Sequence, residues 1–144
     1  MAYEISRADV WVGEVEDRPG GLATKMEVLR DAGANLEFMV VRRSTAKEGT
    51  ARLYVSPLRG AAARKAEMVK TSRLFTVRIE GQDRPGLSAK ITRTMGAAGI
   101  NIHGFSGATV GDRNVIYIAF DTMSDANQAT AALSLALAEA QFCG

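Results

Sequence analysis

The stretch Asp83-Arg84-Pro85-Gly86, followed after a short run by Gly99-Ile100-Asn101, decides how this chain is read, because the chain contains it twice. Asp17-Arg18-Pro19-Gly20 is followed in the same way by Gly33-Ala34-Asn35. The differences 83−17, 86−20, 99−33 and 101−35 all equal 66, so the two cassettes align without insertion or deletion. A fixed internal period sets the architecture before any local reading does. Two repeats in 144 residues divide the chain into residues 1–71 and 72–144. Units of this size bury a limited share of their surface alone, so the two are expected to support each other.

Proline lacks an N–H and fixes φ, and glycine admits unusual backbone angles, so Pro-Gly punctuates a strand-to-helix turn. Before the first cassette, residues 3–16 read as extended, with Val10, Val12 and Glu14 alternating against Trp11, Gly13 and Val15. After it, Leu22, Met26, Leu29 and Ala32 recur at helical spacing up to Gly33, a glycine placed to end the helix. Strands are expected at 36–41 and 50–56, joined by the polar loop 46–49, with a helix at 60–69. The second repeat keeps the order. It has a strand at 74–80, a helix carrying Leu87, Ile91, Met95 and Ala98, strands at 100–109 and 114–120, and a last helix. Ser124 or Asp125 is expected to cap that helix, which carries Leu133, Ala136, Leu137 and Ala140.

Each repeat is therefore β-α-β-β-α, one strand short of the ferredoxin-like βαββαβ unit. The fold class is α+β, with two such units in tandem and antiparallel sheets carrying helices on one face. They are expected to be intertwined through shared or exchanged edge strands. Residues around 72–75 would finish the first sheet, and residues 3–7 would reach back to finish the second. Val115, Tyr117 and Ala119 oppose Ile116, Ile118 and Phe120 along one strand, and both sets are apolar. Phe38-Met39-Val40-Val41 is likewise apolar on both faces. The open sheet faces are thus expected to be covered by the sister unit or by a second chain.

Composition narrows the function. The chain is 47% hydrophobic and 24% charged with a net charge of +2, too mild to imply nucleic acid or membrane without a clustered patch. Arg42-Arg43 and the group Arg59, Arg64 and Lys65 lack interleaved aromatics and read as solvated faces. One cysteine, Cys143, forms no internal disulfide. One histidine, His103, supplies neither a metal-ligand set nor a triad. No phosphate loop, dinucleotide fingerprint or zinc spacing occurs, so no catalytic residue, metal or cofactor is expected. With no apolar span and no leader-like N-terminus, the expected location is the cytoplasm.

Val77-Arg78-Ile79-Glu80-Gly81-Gln82-Asp83-Arg84-Pro85-Gly86-Leu87 with Gly99-Ile100-Asn101-Ile102 resembles the ACT domain, a small regulatory module of ferredoxin-like fold. The resemblance extends twice over the chain, from about residue 10 to about residue 140. It departs at Gly21, where the family favours an aliphatic residue. It implies a non-catalytic regulatory protein that binds a small effector, most often an amino acid, at the interface between ACT units. A homo-oligomer, with a dimer favoured, and a metabolic enzyme partner are also implied. The alternative is a regulatory or structural subunit that binds a partner enzyme without a ligand of its own. By position, the implied ligand contacts are Asp17, Gly20 and Asn35 in the first cassette and Asp83, Gly86, Leu87 and Asn101 in the second. The second cassette follows the family pattern more closely and is the one expected to be occupied; His103 lies two residues beyond its asparagine, where a ligand contact is a better reading than catalysis or metal binding but a half-buried strand residue is the ordinary one. A carboxylate suits an ammonium group, and amides at a helix start suit a carboxylate. The same residues also have a local reading, in which Asp and Asn hold turns through side-chain-to-backbone bonds.

Overall fold

A computed structural model of the chain describes residues 3–138. Ala140 and Cys143 lie outside the described residues. The elements are β1 (Glu4–Ala8), β2 (Trp11–Glu16), α1 (Gly21–Asp31), β3 (Phe38–Arg43), β4 (Thr50–Ser56) and α2 (Gly60–Lys65). They continue as β5 (Val69–Lys70), β6 (Phe75–Gln82), α3 (Leu87–Ala97), β7 (Gly104–Val110), β8 (Arg113–Phe120) and α4 (Met123–Ala138). By its contacts the chain divides into a first unit, residues 9–72, and a second unit made of Arg73 onward together with the stretch ending at Ala8. The repeat boundary at 71/72 leaves β1 in the first unit, whereas its contacts are with the second.

The first sheet has the order β3-β4-β2-β5 and the second β1-β6-β8-β7, with every pairing antiparallel. Both orders are those of the split βαβ arrangement, and they differ in where the last strand comes from. In the second sheet it is β1, which reaches back to pair along β6 from Glu4 opposite Glu80 to Ala8 opposite Thr76. In the first sheet it is β5, which pairs Val69 with Val12 and Lys70 with Trp11. This strand falls earlier than the expected 72–75, because α2 ends at Lys65 rather than continuing to residue 69. Glu67 adopts φ 54, and the Glu67 and Met68 amides close back on the carbonyls of Arg64 and Ala63. That left-handed turn ends the helix and returns the chain to the sheet edge.

The helix ends follow from the cassette. Gly33 and Gly99 have φ 86 and 72, and the next amides, of Ala34 and Ile100, bond back to Leu29 and Met95. Only a residue free of Cβ takes such a φ without penalty. At α4 the cap is Thr122, whose Oγ1 accepts the Asp125 amide at 3.0 Å. The helix therefore starts slightly before the Ser124 or Asp125 expected from the sequence. The strand expected over 100–109 begins only at Gly104.

Register shows where the period of 66 stops. Val15 lies opposite Ala51, and Gly81 lies opposite Asn114, so 81−15 is 66 but 114−51 is 63. The first hairpin is three residues longer than the second. Each unit has its own core. In the first, Val15, Leu29, Leu53, Val55, Ala63 and Met68 pack together. In the second, Val77, Ile79, Leu87, Ile91, Met95, Ile116, Ile118, Phe120 and Leu133 do so. Edge strands β3 and β7 leave Met39, Val40, Val41, Phe105 and Val110 exposed.

Candidate functional site

The two cassettes share the same turn at the backbone. The Gly21 amide donates to the Arg18 carbonyl at 3.0 Å and the Leu87 amide to the Arg84 carbonyl at 3.2 Å. Gly20 and Gly86 have φ 85. Proline then glycine at positive φ inside a four-residue hydrogen-bonded turn is the type II arrangement. The same glycines serve as N-caps of α1 and α3, so turn and helix start are one object.

The aspartates point at the hairpin of their own unit. The Asp17 amide donates to the Gly49 carbonyl at 3.0 Å, and the Asp83 amide to the Asp112 carbonyl at 2.7 Å. Arg43 Nε donates to Asp17 Oδ2 at 2.5 Å, which holds the guanidinium above its ordinary pKa. Asp83 Oδ1 accepts from Thr109 Oγ1 and Asn114 Nδ2, each at 3.4 Å. Arg43 and Thr109 are again 66 apart, so the same position holds the aspartate in both repeats. Sequence reasoning missed both, although applying the period beyond the cassette marks them.

Asn35 and Asn101 are exposed and sit past the far ends of α1 and α3. Each helix has 11 residues, a rise of about 16 Å at 1.5 Å per residue. Gly20, or Gly86 with Leu87, is therefore close to its own aspartate, while the asparagine of the same unit is a helix length away. Gly86 is exposed, but the Leu87 side chain is buried in the core and offers only its backbone. His103 Nδ1 lies 2.8 Å from Asp121 Oδ1, an exposed pair on the strand side.

Around Asp83 the second unit has an excess of acceptors. Asn114 Nδ2 also donates to Thr109 Oγ1 at 2.7 Å, which fixes the amide orientation. Asn114 Oδ1 and Gln82 Oε1 are then buried without a hydrogen-bond partner among the described residues. Such groups are costly to leave unmet. Tyr3, just before β1, closes one side. Its ring lies where a Cβ on Gly81 would stand, and its hydroxyl donates to the Gln82 carbonyl at 2.7 Å. Burial pushes the Tyr3 phenol up, with Arg84 pulling the other way.

The first unit instead has a cleft of about 280 Å³ beside α1, bordered by Gly21, Lys25, Val28, Lys65, Ala66 and Glu67. Gly21 does not itself leave room for a ligand. A Cβ there would stand 2.0 Å from the Glu16 carbonyl oxygen, so the glycine permits close packing of helix on strand. Among the described residues, no cluster of three or more His, Cys, Asp or Glu is placed to hold a metal ion. No helix among them is long and apolar enough to cross a membrane.

Residues 75–134 match the family model of the ACT domain. No protein of curated function matches the chain in sequence. Among solved structures, a protein from Bacteroides thetaiotaomicron aligns with a TM-score of 0.70 at 20% identity, over 87% of this chain and 87% of that one. The ligand-free regulatory subunit of aspartate kinase from Thermus thermophilus aligns with a TM-score of 0.63 at 18% identity, over 94% and 97%. E. coli aspartokinase III, in complex with aspartate and ADP, aligns with a TM-score of 0.60 at 14% identity, over 96% of this chain and 33% of that one. At these identities the likeness is one of fold.

Proposed function

We propose, from the premise that residues 75–134 form an ACT domain, that the chain is a non-catalytic regulatory protein. It binds a small effector, an amino acid, at an interface between ACT units, and passes occupancy on through its assembly or a partner enzyme. The observation that carries this reading is the corner at Asp83. The buried Asn114 Oδ1 lacks a donor there, beside an Asp83 carboxylate held by two long contacts of 3.4 Å, and an α-ammonium brings three N–H donors. The first-turn amides of α3, which have no intrahelical acceptor, suit the carboxylate of the same ligand. Asp83 and Asn101 are a helix length apart within one unit. A single amino acid touches both kinds of residue only if they come from different units, which supports an interface. Regulation then needs the effector to favour one of two states, since equal affinity shifts nothing.

The second reading is a subunit that binds an enzyme and no ligand, favoured by the apolar edges of β3 and β7. A thermal-shift screen over the twenty amino acids separates the two. A ligand that binds only the folded state adds ~2.7 kcal/mol at a hundredfold excess over its Kd. Asp83→Ala and Asn101→Ala are each expected to abolish that shift while leaving the unliganded Tm nearly unchanged. A flat screen with every amino acid removes the effector reading. An unaltered response in both variants removes those residues from the site.

A further inference from the structure

The period of 66 pairs Gly21 with Leu87 and Lys25 with Ile91. In the second unit Leu87 and Ile91 are 3% and 0% exposed and fill the space under α3. In the first unit the same inward positions carry a glycine and a lysine. Only Leu29, the counterpart of Met95, remains a core residue. The covering helix differs too, since α2 has 6 residues where α4 has 16. Lys25, in place of a core aliphatic residue, and the end of the short α2 border the cleft beside α1.

The border of the cleft carries Arg18, Lys25 and Lys65 against Glu14, Glu16 and Glu67. Lys25 is half-buried, and its Nζ donates to the Ala66 carbonyl at 2.6 Å, a neutral acceptor. Glu14 and Glu16 at the border are already engaged, by Lys47 and Arg18. Lys25 and Lys65 have no carboxylate partner among the described residues. With a neutral carbonyl as its partner, the Lys25 ammonium keeps N–H donors for a charge-assisted bond to a carboxylate. Val28 and Ala66 supply an apolar wall, and the volume is at the small end of ligand pockets.

We propose that the first unit carries a binding cleft of its own for a small organic carboxylate, between the N-terminal half of α1 and the loop after α2, with Lys25 and Lys65 as the carboxylate's partners. Glu67, held at φ 54 on the same border, takes the ammonium when the carboxylate is an amino acid. The cleft is separate from the Asp83 corner and does not depend on the effector reading above.

Calorimetric titration of the full chain tests this with isovalerate, leucine and inorganic phosphate as probes. Saturable binding of isovalerate or leucine is expected. Leucine binding more tightly than isovalerate, with the difference lost in Glu67→Gln, identifies the zwitterion as the form taken. Lys25→Met is expected to weaken binding roughly ten- to hundredfold, the range for a lost hydrogen bond to a charged group. Its Tm is expected to hold or rise, because an apolar side chain returns to a core-facing position. Lys65→Ala, at the rim, provides the same loss without touching the core should Lys25→Met fold poorly. Asp83→Ala is expected to leave this binding intact. The proposal is overturned by no saturable binding of either carboxylate, by phosphate alone binding, by undiminished binding in both lysine variants, or by loss in Asp83→Ala.

Discussion

The first and second units share a turn, a helix length and a sheet order, yet they treat the inner face of the first helix in opposite ways. Under α3 the second unit places Leu87, Ile91 and Met95, all buried, and covers them with the 16-residue α4. Under α1 the first unit places Gly21, Lys25 and Leu29 and a helix of 6 residues. One unit spends these positions on an apolar core, and the other packs a glycine against its strand and turns a lysine to the border of a cleft. A repeat can therefore preserve backbone geometry while its side chains diverge, because the turn depends on Pro and Gly alone and the core does not.

Exchanging the two solutions breaks the comparison most directly. Ile91→Lys puts an unpaired charge at a fully buried position and is expected to cost about 4 kcal/mol or more, read by urea denaturation. A loss under about 1 kcal/mol would mean that the second core opens as readily as the first. Gly21→Ala drives a Cβ against the Glu16 carbonyl oxygen and is expected to cost about 1–3 kcal/mol, seen as a lower Tm. A neutral result would mean that the helix start moves freely off β2. The smallest effect belongs to Glu67→Gly. Left-handed φ disfavours a residue with a Cβ, so glycine is expected to stabilise the first unit by about 0.5–1 kcal/mol in the same assay. Destabilisation would show that the Glu67 side chain contributes contacts that outweigh its backbone cost.

Much of the fold was legible in the sequence because its signals are local. Pro19-Gly20 and Pro85-Gly86 specify their turns, Gly33 and Gly99 their helix ends, and alternating apolar residues the strands. The return of residues 3–7 to the second sheet was also legible, since a unit short of one strand has to find it elsewhere. The position of β5 was not, because it hangs on Glu67 adopting a conformation that its residue type disfavours. Nor was the hairpin-side anchoring of the aspartates. Arg43 and Thr109 share a position but not a chemistry, and only their place beside Asp17 and Asp83 reveals the common role.

The sequence by itself determined the period, the two Pro-Gly turns, the helix boundaries set by glycine and the β-α-β-β-α order. These rest on φ/ψ limits that each residue carries wherever it goes. Tertiary structure alone decided where β5 joins the first sheet and how the hairpin lengths shift the register. It also decided which acceptors around Asp83 are left unmet and that Lys25 borders a cleft instead of a solvated face. Those outcomes depend on which distant segments meet and on what is left over when they pack, and no stretch of chain encodes its neighbour's volume.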